Sequence, residues 1–340
     1  MYRCLELARL GAGHVSPNPM VGAVLVYEDR IIGEGYHQLY GKAHAEVNCI
    51  NSVTAADTPL IALSTIYVSL EPCAHHGKTP PCADLILAMR IPRVVIGCRD
   101  PFPQVNGKGI EKLLAAGVEV TLGVLEKECI ALNKRFFTFN TQHRPYIVLK
   151  WAQSVNGMIA GAPAGPRTLI SNEITNRLVH RWRSEEASIL VGTKTALADD
   201  PALTARLWTG PDPIRLVIDK DLQLPRTLQL FDKKVKTIVF NSHHHTDEGM
   251  LQFYQLSPDT SVIHQLILAL HHLKIQSVLV EGGARLLQSF IDQDYWDEAR
   301  VITNQELDLP VGLPAPQLQH ARRLSHQSIL SDTIRYYEHD

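Results

Sequence analysis

The sequence predicts a two-domain α/β protein, and three observations carry that reading. Its 340 residues exceed what one compact core usually holds. Short β-rich runs alternate with helical ones in both halves, the rhythm of a mostly parallel sheet covered by helices on both sides. That rhythm breaks in NKRFFTFNTQHR (133–144), where aromatic, polar and basic residues mix without a sustained period. The boundary is placed at Thr141 to Arg144, giving domains 1–143 and 144–340.

In the first domain, VGAVLVY (21–27), TIYVSL (65–70), RVVIGC (93–98) and VEVTLG (118–123) read as strands. Between them, helices are predicted from His44, from Cys82 and over GIEKLLAAG (109–117). In the second, strands are predicted at PYIVLK (145–150), SILVG (188–192), IRLVID (214–219), VKTIVF (235–240) and SVLV (277–280), with helices near 173–183, 262–273 and 284–292. SHHHTDEG (242–249) reads as an exposed polar loop. In an α/β sheet of this kind, functional residues belong at strand ends.

Composition narrows the function class. With 45% hydrophobic and 20% charged residues, the chain has the make-up of an ordinary globular protein. No apolar run approaches the roughly 20 residues that span a bilayer, and the amino terminus lacks a signal-peptide pattern. A cytoplasmic enzyme is therefore expected. The formal net charge of −2 offers no overall positive field for nucleic acid or acidic membrane, and neither is expected as a partner. All six cysteines fall within the first 129 residues of a long chain, which argues against a disulfide scaffold. Cys4, Cys49, Cys98 and Cys129 read as buried thiols.

The other two cysteines belong to a pattern. HAEVNCI (44–50) sets a histidine and a glutamate two positions apart at a helix start, and EPCAHHGKTPPC (71–82) brings two cysteines in a Gly/Pro-rich run. His44, Cys73 and Cys82 supply three ligands of the types zinc prefers, and a catalytic zinc keeps its fourth position for water. A structural staple has no need of a carboxylate beside its histidine. A hydrolytic site needs a proton carrier there, so Glu46 favours catalysis. Cys82 opens an apparent helix, where the dipole favours a thiolate.

HxE followed by a cysteine pair describes the zinc base deaminases, with the glutamate as acid/base. The eight residues between Cys73 and Cys82 are a longer spacing, and PCAHHGKTPPC resembles the signature of the riboflavin-pathway pyrimidine deaminases. SPNPMVGAVLV (16–26), GEGYHQLYGKAHAE (33–46) and DPFPQVNGKGI (100–110) resemble the remaining landmarks of that family, in order. The resemblance implies a cytidine-deaminase-like three-layer domain holding one Zn2+ per chain. It further implies that Asn18 holds the pyrimidine ring and that His75 and Lys78 lie near the polar groups and ribose phosphate of the substrate. Phe102 stands where the family usually has asparagine.

No GxGxxG follows a strand in the second half, which argues against a Rossmann domain. SVLVEGGARLLQSFI (277–291) instead runs a strand through Glu281 and two glycines into a helix. Such a turn lets backbone approach a ligand and offers helix amides to phosphate. With KWAQSVNG (150–157), RSEEASILVGTKTALADDPALTAR (183–206) and RLVID (215–219), it resembles the reductase half of the bifunctional riboflavin-biosynthesis deaminase/reductases. The resemblance implies a dihydrofolate-reductase-like domain using NADPH/NADP+. Carried over position by position, Gln153, Leu169, Thr195, Asp199 and the run Gly283, Ala284, Arg285, Leu286, Leu287, Gln288, Ser289 are implied to bind the cofactor. Arg167, Arg183, Leu203, Arg206 and Glu281 are implied to bind substrate, Arg183 and Arg206 as a phosphate clamp. Lys150 or a bound water is the expected proton donor. Asn156 stands where the family more often has Asp, and Leu169 where an aromatic is common.

The expectation is a bifunctional enzyme acting on small phosphorylated pyrimidines and assembling as a homo-oligomer, a dimer or tetramer. Two rivals make different demands. A nucleoside or tRNA deaminase with an inactive second domain requires no NADPH, and a zinc-stabilised binding protein has no use for Glu46.

Overall fold

The computed structural model describes residues 1–75, 80–162 and 168–340, and the chain divides into two compact units, Met1–His143 and Arg144–Asp340.

The first unit runs α1 (Tyr2–Arg9), β1 (Gly22–Tyr27), β2 (Arg30–Tyr36), α2 (Ala45–Asn51), β3 (Thr65–Leu70), α3 (Cys82–Ala88), β4 (Arg93–Cys98), α4 (Lys108–Ala115), β5 (Glu119–Leu122), α5 (Glu126–Leu132) and α6 (Lys134–Gln142). Its sheet has the order β2-β1-β3-β4-β5. β3, β4 and β5 are parallel, whereas β1 is antiparallel to both β2 and β3. The mostly parallel expectation thus fails at this edge. Only Glu28 and Asp29 separate β1 from β2, and so short a connection can join strands only as an antiparallel hairpin. Glu28 takes the left-handed φ of 52° that the turn demands. β2 escaped the sequence reading because RIIGEGY carries two glycines and a charge among its apolar residues.

Ile66, Val68, Ile86, Ile96 and Leu113, each fully buried, hold α3 and α4 against the sheet. Cys4, Cys49, Cys98 and Cys129 are buried free thiols. The segment 133–144, read as patternless, contains α6. Phe136, Phe137 and Phe139 mask its period, since aromatic residues occupy more than one helix face.

The second unit runs β6 (Tyr146–Gln153), β7 (Met158–Ala160), α7 (Glu173–Glu185), β8 (Ser188–Gly192), α8 (Thr193–Asp199), β9 (Ile214–Ile218), β10 (Thr237–Asn241), β11 (Thr246–Asp247), β12 (Leu251–Gln255), α9 (Val262–His272), β13 (Ser277–Gly282), α10 (Ala284–Asp292), β14 (Glu298–Asn304), β15 (Leu313–Pro314), β16 (Ala321–Ile329) and β17 (Asp332–His339). One sheet orders them β11-β12-β10-β9-β8-β13-β6-β14-β17-β16, and β7 pairs separately with β15. From β12 to β14 every pairing is parallel, so those strands are buried and apolar. Phe240, Leu266, Phe290 and Trp296 anchor the main core.

The sheet then turns antiparallel through β17 and β16. β16 is exposed along most of its length, so it carries none of the apolar alternation by which strands are recognised. Within SHHHTDEG lies the two-residue strand β11, and the histidines His243, His244 and His245 are exposed as expected. Among the described residues, no helix is long and apolar enough to cross a membrane.

Candidate active sites

β3 and β4 lie parallel, and the chain leaving the carboxyl end of β3 carries Cys73. His44 is the N-cap of α2, Glu46 lies in its first turn, and Cys82 is the first residue of α3. Folding brings these starts together: His44 Nδ1 lies 3.6 Å from Cys73 Sγ and 3.3 Å from Cys82 Sγ, and all three donor atoms fall within 4.8 Å of one another. A tetrahedral ion with bonds of about 2.0–2.1 Å to nitrogen and about 2.3 Å to sulfur spaces such atoms about 3.6 Å apart. The cluster therefore fits zinc in both donor type and separation.

The two thiols share a proton. Hydrogen bonding from Cys82 outweighs burial and pulls the Cys73 thiol down to about 4, helped by His44 and by the Cys82 amide, which donates to Cys73 Sγ at 3.4 Å. Cys82 is pushed the other way, first by sharing its proton with Cys73 and then by burial. A bound cation requires both sulfurs as thiolates and takes the place of that shared proton. Glu46 is 3% exposed, and burial followed by the nearby Cys73 charge lifts its carboxyl to about 6. A carboxyl poised close to neutrality can both accept and return a proton.

Two neighbours of the site went unread in the sequence. His37 packs edge-on against His44 with ring centroids 5.4 Å apart. Its Nδ1 lies 3.0 Å from the Ala43 carbonyl, which can only accept, so the ring proton sits there. Nε2 then accepts from Asn18 Nδ2 at 3.1 Å, which fixes the orientation of the Asn18 amide. Glu71 is buried and its carboxylate accepts from four backbone amides, those of Asp100, Gly107, Gly109 and Ile110, at 3.0–3.3 Å. It ties DPFPQVNGKGI to the loop carrying Cys73. Gly109 is required there because a Cβ would stand 1.9 Å from the Pro72 carbonyl oxygen. Phe102 lies on that tied loop, its ring 6.3 Å from that of His75. His75 Nδ1 is buried and has no partner among the described residues. Lys78 and Arg167 lie outside the described residues.

In the second unit, Gly282 (φ +143°) and Gly283 carry β13 into α10. A Cβ on Gly283 would come within 3.2 Å of Thr195 Oγ1, so this strand-to-helix turn lies close against α8. The first amides of α10 have no partners inside the helix and present donors to phosphate. These features fit a dinucleotide. Asp199 ends α8. Not every residue of 283–289 faces outward: Leu287 is fully buried in the core, and Leu286 packs toward Gly192. Ser289 Oγ donates to the Arg285 carbonyl, while Gln288 bonds both Asp292 and Gln317. Gln153 accepts from Trp151 Nε1 at 2.7 Å, Leu169 is 79% exposed, and Leu203 is buried at φ 48°.

Glu281 is the electrostatic centre of this region. Arg183 grips it with Nε and Nη2, both at 2.7 Å, and donates through Nη1 to the Thr204 carbonyl. Lys150 Nζ stands 3.8 Å from the same carboxylate. Burial alone would raise Glu281, but Arg183 and Lys150 outweigh it and hold the carboxyl at about 2. Burial lowers Lys150, with Glu281 opposing. Burial, Arg183 and Arg206 bring His180 down to about 4, so it stays neutral. Arg183 therefore gives its fork to Glu281, and Arg206 is the exposed guanidinium of the pair.

Comparison with known proteins follows the same division. Residues 1–98 match the cytidine and deoxycytidylate deaminase zinc-binding region, and residues 145–304 match the RibD C-terminal domain. The riboflavin biosynthesis protein RibD of Aquifex aeolicus is 39% identical over 302 residues, 87% of this chain and 83% of that protein. The chain belongs to the RibD family. RibD of Bacillus amyloliquefaciens is 40% identical over 88% of this chain and 81% of its own. A solved diaminohydroxyphosphoribosylaminopyrimidine deaminase/5-amino-6-(5-phosphoribosylamino)uracil reductase from Thermotoga maritima superposes with a TM-score of 0.90 at 34% identity, covering 100% of this chain and 97% of that one. As a RibD-family member, the chain is a bifunctional enzyme of riboflavin biosynthesis, a zinc-dependent deaminase joined to an NADPH-dependent reductase.

Proposed function

We propose that residues 1–143 deaminate 2,5-diamino-6-(5-phosphoribosylamino)pyrimidin-4(3H)-one and that residues 144–340 reduce the ribosyl group of the product, 5-amino-6-(5-phosphoribosylamino)uracil, to ribityl. The convergence of His44, Cys73 and Cys82 beside buried Glu46 carries this reading. His44, Cys73 and Cys82 hold the zinc, which supplies Lewis acidity that activates water. Glu46 takes a proton from the attacking water and returns it to the departing amine, which leaves as ammonia. Asn18, aimed by His37, holds the pyrimidine ring, with His75 and Lys78 toward the polar groups and phosphate.

In the second domain Thr195, Asp199 and the turn at Gly283 would hold the cofactor, which would supply the hydride. Gln153, Leu169 and the exposed positions of 284–289 border it. Arg206, with Arg167 and the remaining Nη protons of Arg183, meets the substrate phosphate, while Leu203 shapes the floor. Glu281, fixed by Arg183, faces the ribosyl end, and Lys150 is the proton donor best placed to serve it.

The protein is proposed to work in the cytoplasm as a homo-oligomer, with no nucleic-acid or membrane partner. Formal charge supports the second statement. One assay tests the reading: purified protein, the diaminopyrimidinone phosphate and NADPH, with ammonia and reduced nicotinamide followed together. Glu46→Gln stops ammonia release and, for want of product, NADPH oxidation on that substrate, but leaves NADPH oxidation on added 5-amino-6-(5-phosphoribosylamino)uracil unchanged. Arg183→Ala impairs reduction alone, and Arg206→Ala raises KM for the reductase substrate more than it lowers kcat. Turnover of cytidine or of adenosine in RNA without NADPH oxidation would overturn it.

A further inference from the structure

A second group of metal-ligating side chains lies in the reductase unit, formed by residues with no part in either reaction. Asp294 follows α10, His320 precedes β16 and His339 ends β17, yet their donor atoms fall within 4.8 Å of one another. Asp294 Oδ1 lies 2.9 Å from His320 Nδ1 and 3.1 Å from His339 Nε2. A six-coordinate ion with bonds of about 2.1 Å spaces adjacent ligands about 3.0 Å apart, so these separations already match two edges of its coordination shell.

The backbone that carries the donors is held in place without a ligand. Asp294 and His320 both have left-handed backbone, φ 54° and 50°. The Asp294 amide donates to the Ile291 carbonyl at 3.1 Å, and the His320 carbonyl accepts from the Asp340 amide at 2.9 Å. His339 pairs with Ala321 in the strand ladder and sets its ring edge-on to buried Trp296, with centroids 4.9 Å apart. A surface aspartate between two histidines is most simply an ion-pair cluster. Here, however, three chain segments bring three donors within 4.8 Å of one another, two of the separations already at ligand spacing. Asp294 and His320 are half exposed, which leaves the other coordination positions to water.

We propose that Asp294, His320 and His339 form a second metal site, for a divalent first-row transition ion, that clips the carboxy-terminal strand pair to the end of α10. Two imidazoles and one carboxylate suit Zn2+, Ni2+ or Cu2+ rather than Mg2+ or Ca2+. On binding, the proton on each nitrogen that faces Asp294 leaves to solvent, a neutral ring taking one back from solvent on its far nitrogen, and the ion replaces both N–H groups as the partner of Asp294. The clip closes loops spanning 294 to 339 and stabilises the folded unit by mass action. Asp294 lies within the stretch 145–304 that matches the RibD C-terminal domain, and His320 and His339 lie beyond it.

Full-length, zinc-loaded protein titrated with Ni2+ alone tests the proposal, using calorimetry for stoichiometry and tryptophan emission as a proximity signal from Trp296. The expected result is one Ni2+ equivalent, quenched emission and a higher unfolding temperature. His320→Ala, at an exposed side chain, and Asp294→Asn should each weaken that binding at least about tenfold while leaving ammonia release and NADPH oxidation unchanged. A His243→Ala/His244→Ala/His245→Ala variant should bind as wild type. No nickel equivalent, undiminished binding in His320→Ala, or loss of binding in the triple variant overturns the site, the last by assigning the ion to the exposed histidine loop.

Discussion

Glu46 and Glu281 are two buried carboxyls that their surroundings drive in opposite directions. Burial and a thiolate neighbour lift Glu46 toward neutrality, whereas Arg183 and Lys150 keep Glu281 ionised. The first suits a proton carrier and the second a fixed charge. Because the folded pKa of Glu281 lies near 2, below its ordinary value of 4.5, the unfolded chain binds the proton first as pH falls. Its stabilisation, about 3 kcal/mol, is complete above pH 4.5 and is lost as pH falls through 2. Urea unfolding of the reductase unit should therefore lose stability across that window, and Glu281→Gln should remove this part of the slope. The pair of roles was only half visible in the sequence. His44 and Glu46 are adjacent in one helix start, so their spacing reveals them, but the partners of Glu281 lie about 100 and 130 positions away and no local pattern joins them.

At the scale of elements, the deaminase site rests on the starts of α2 and α3 and on the loop before α4. Glu71 and Gly109 lock that loop down. Gly109→Ala drives a methyl into the Pro72 carbonyl and should cost about 2 kcal/mol or more, read as a lower unfolding temperature of the deaminase unit together with weaker zinc retention. Unchanged stability would mean that the loop is not tied as described. Parallel, buried strands such as β8 and β13 announce themselves through unbroken apolar runs. β2, β16 and α6 do not, because two glycines, a solvated face and an aromatic cluster respectively erase the period on which such reading depends. Glu71 was hidden for a related reason: its partners are backbone amides, which have no sequence signature.

Across the whole molecule, the residues assigned to deamination lie within 1–143 and those assigned to reduction within 144–340. The two activities should therefore separate cleanly. Stripping zinc with a chelator should abolish ammonia release from the diaminopyrimidinone phosphate, yet NADPH oxidation on 5-amino-6-(5-phosphoribosylamino)uracil should continue near its original rate. Loss of both activities would mean that the metal supports the whole chain rather than one reaction.

The central claim is that His44, Cys73 and Cys82 hold one zinc that leaves a place for water facing Glu46. Zinc content and ammonia release measured together on Glu46→Gln test it most directly. The account predicts one zinc per chain in that variant at the deaminase site, with ammonia release reduced about 10²-fold or more. Retained zinc with wild-type ammonia release would contradict it.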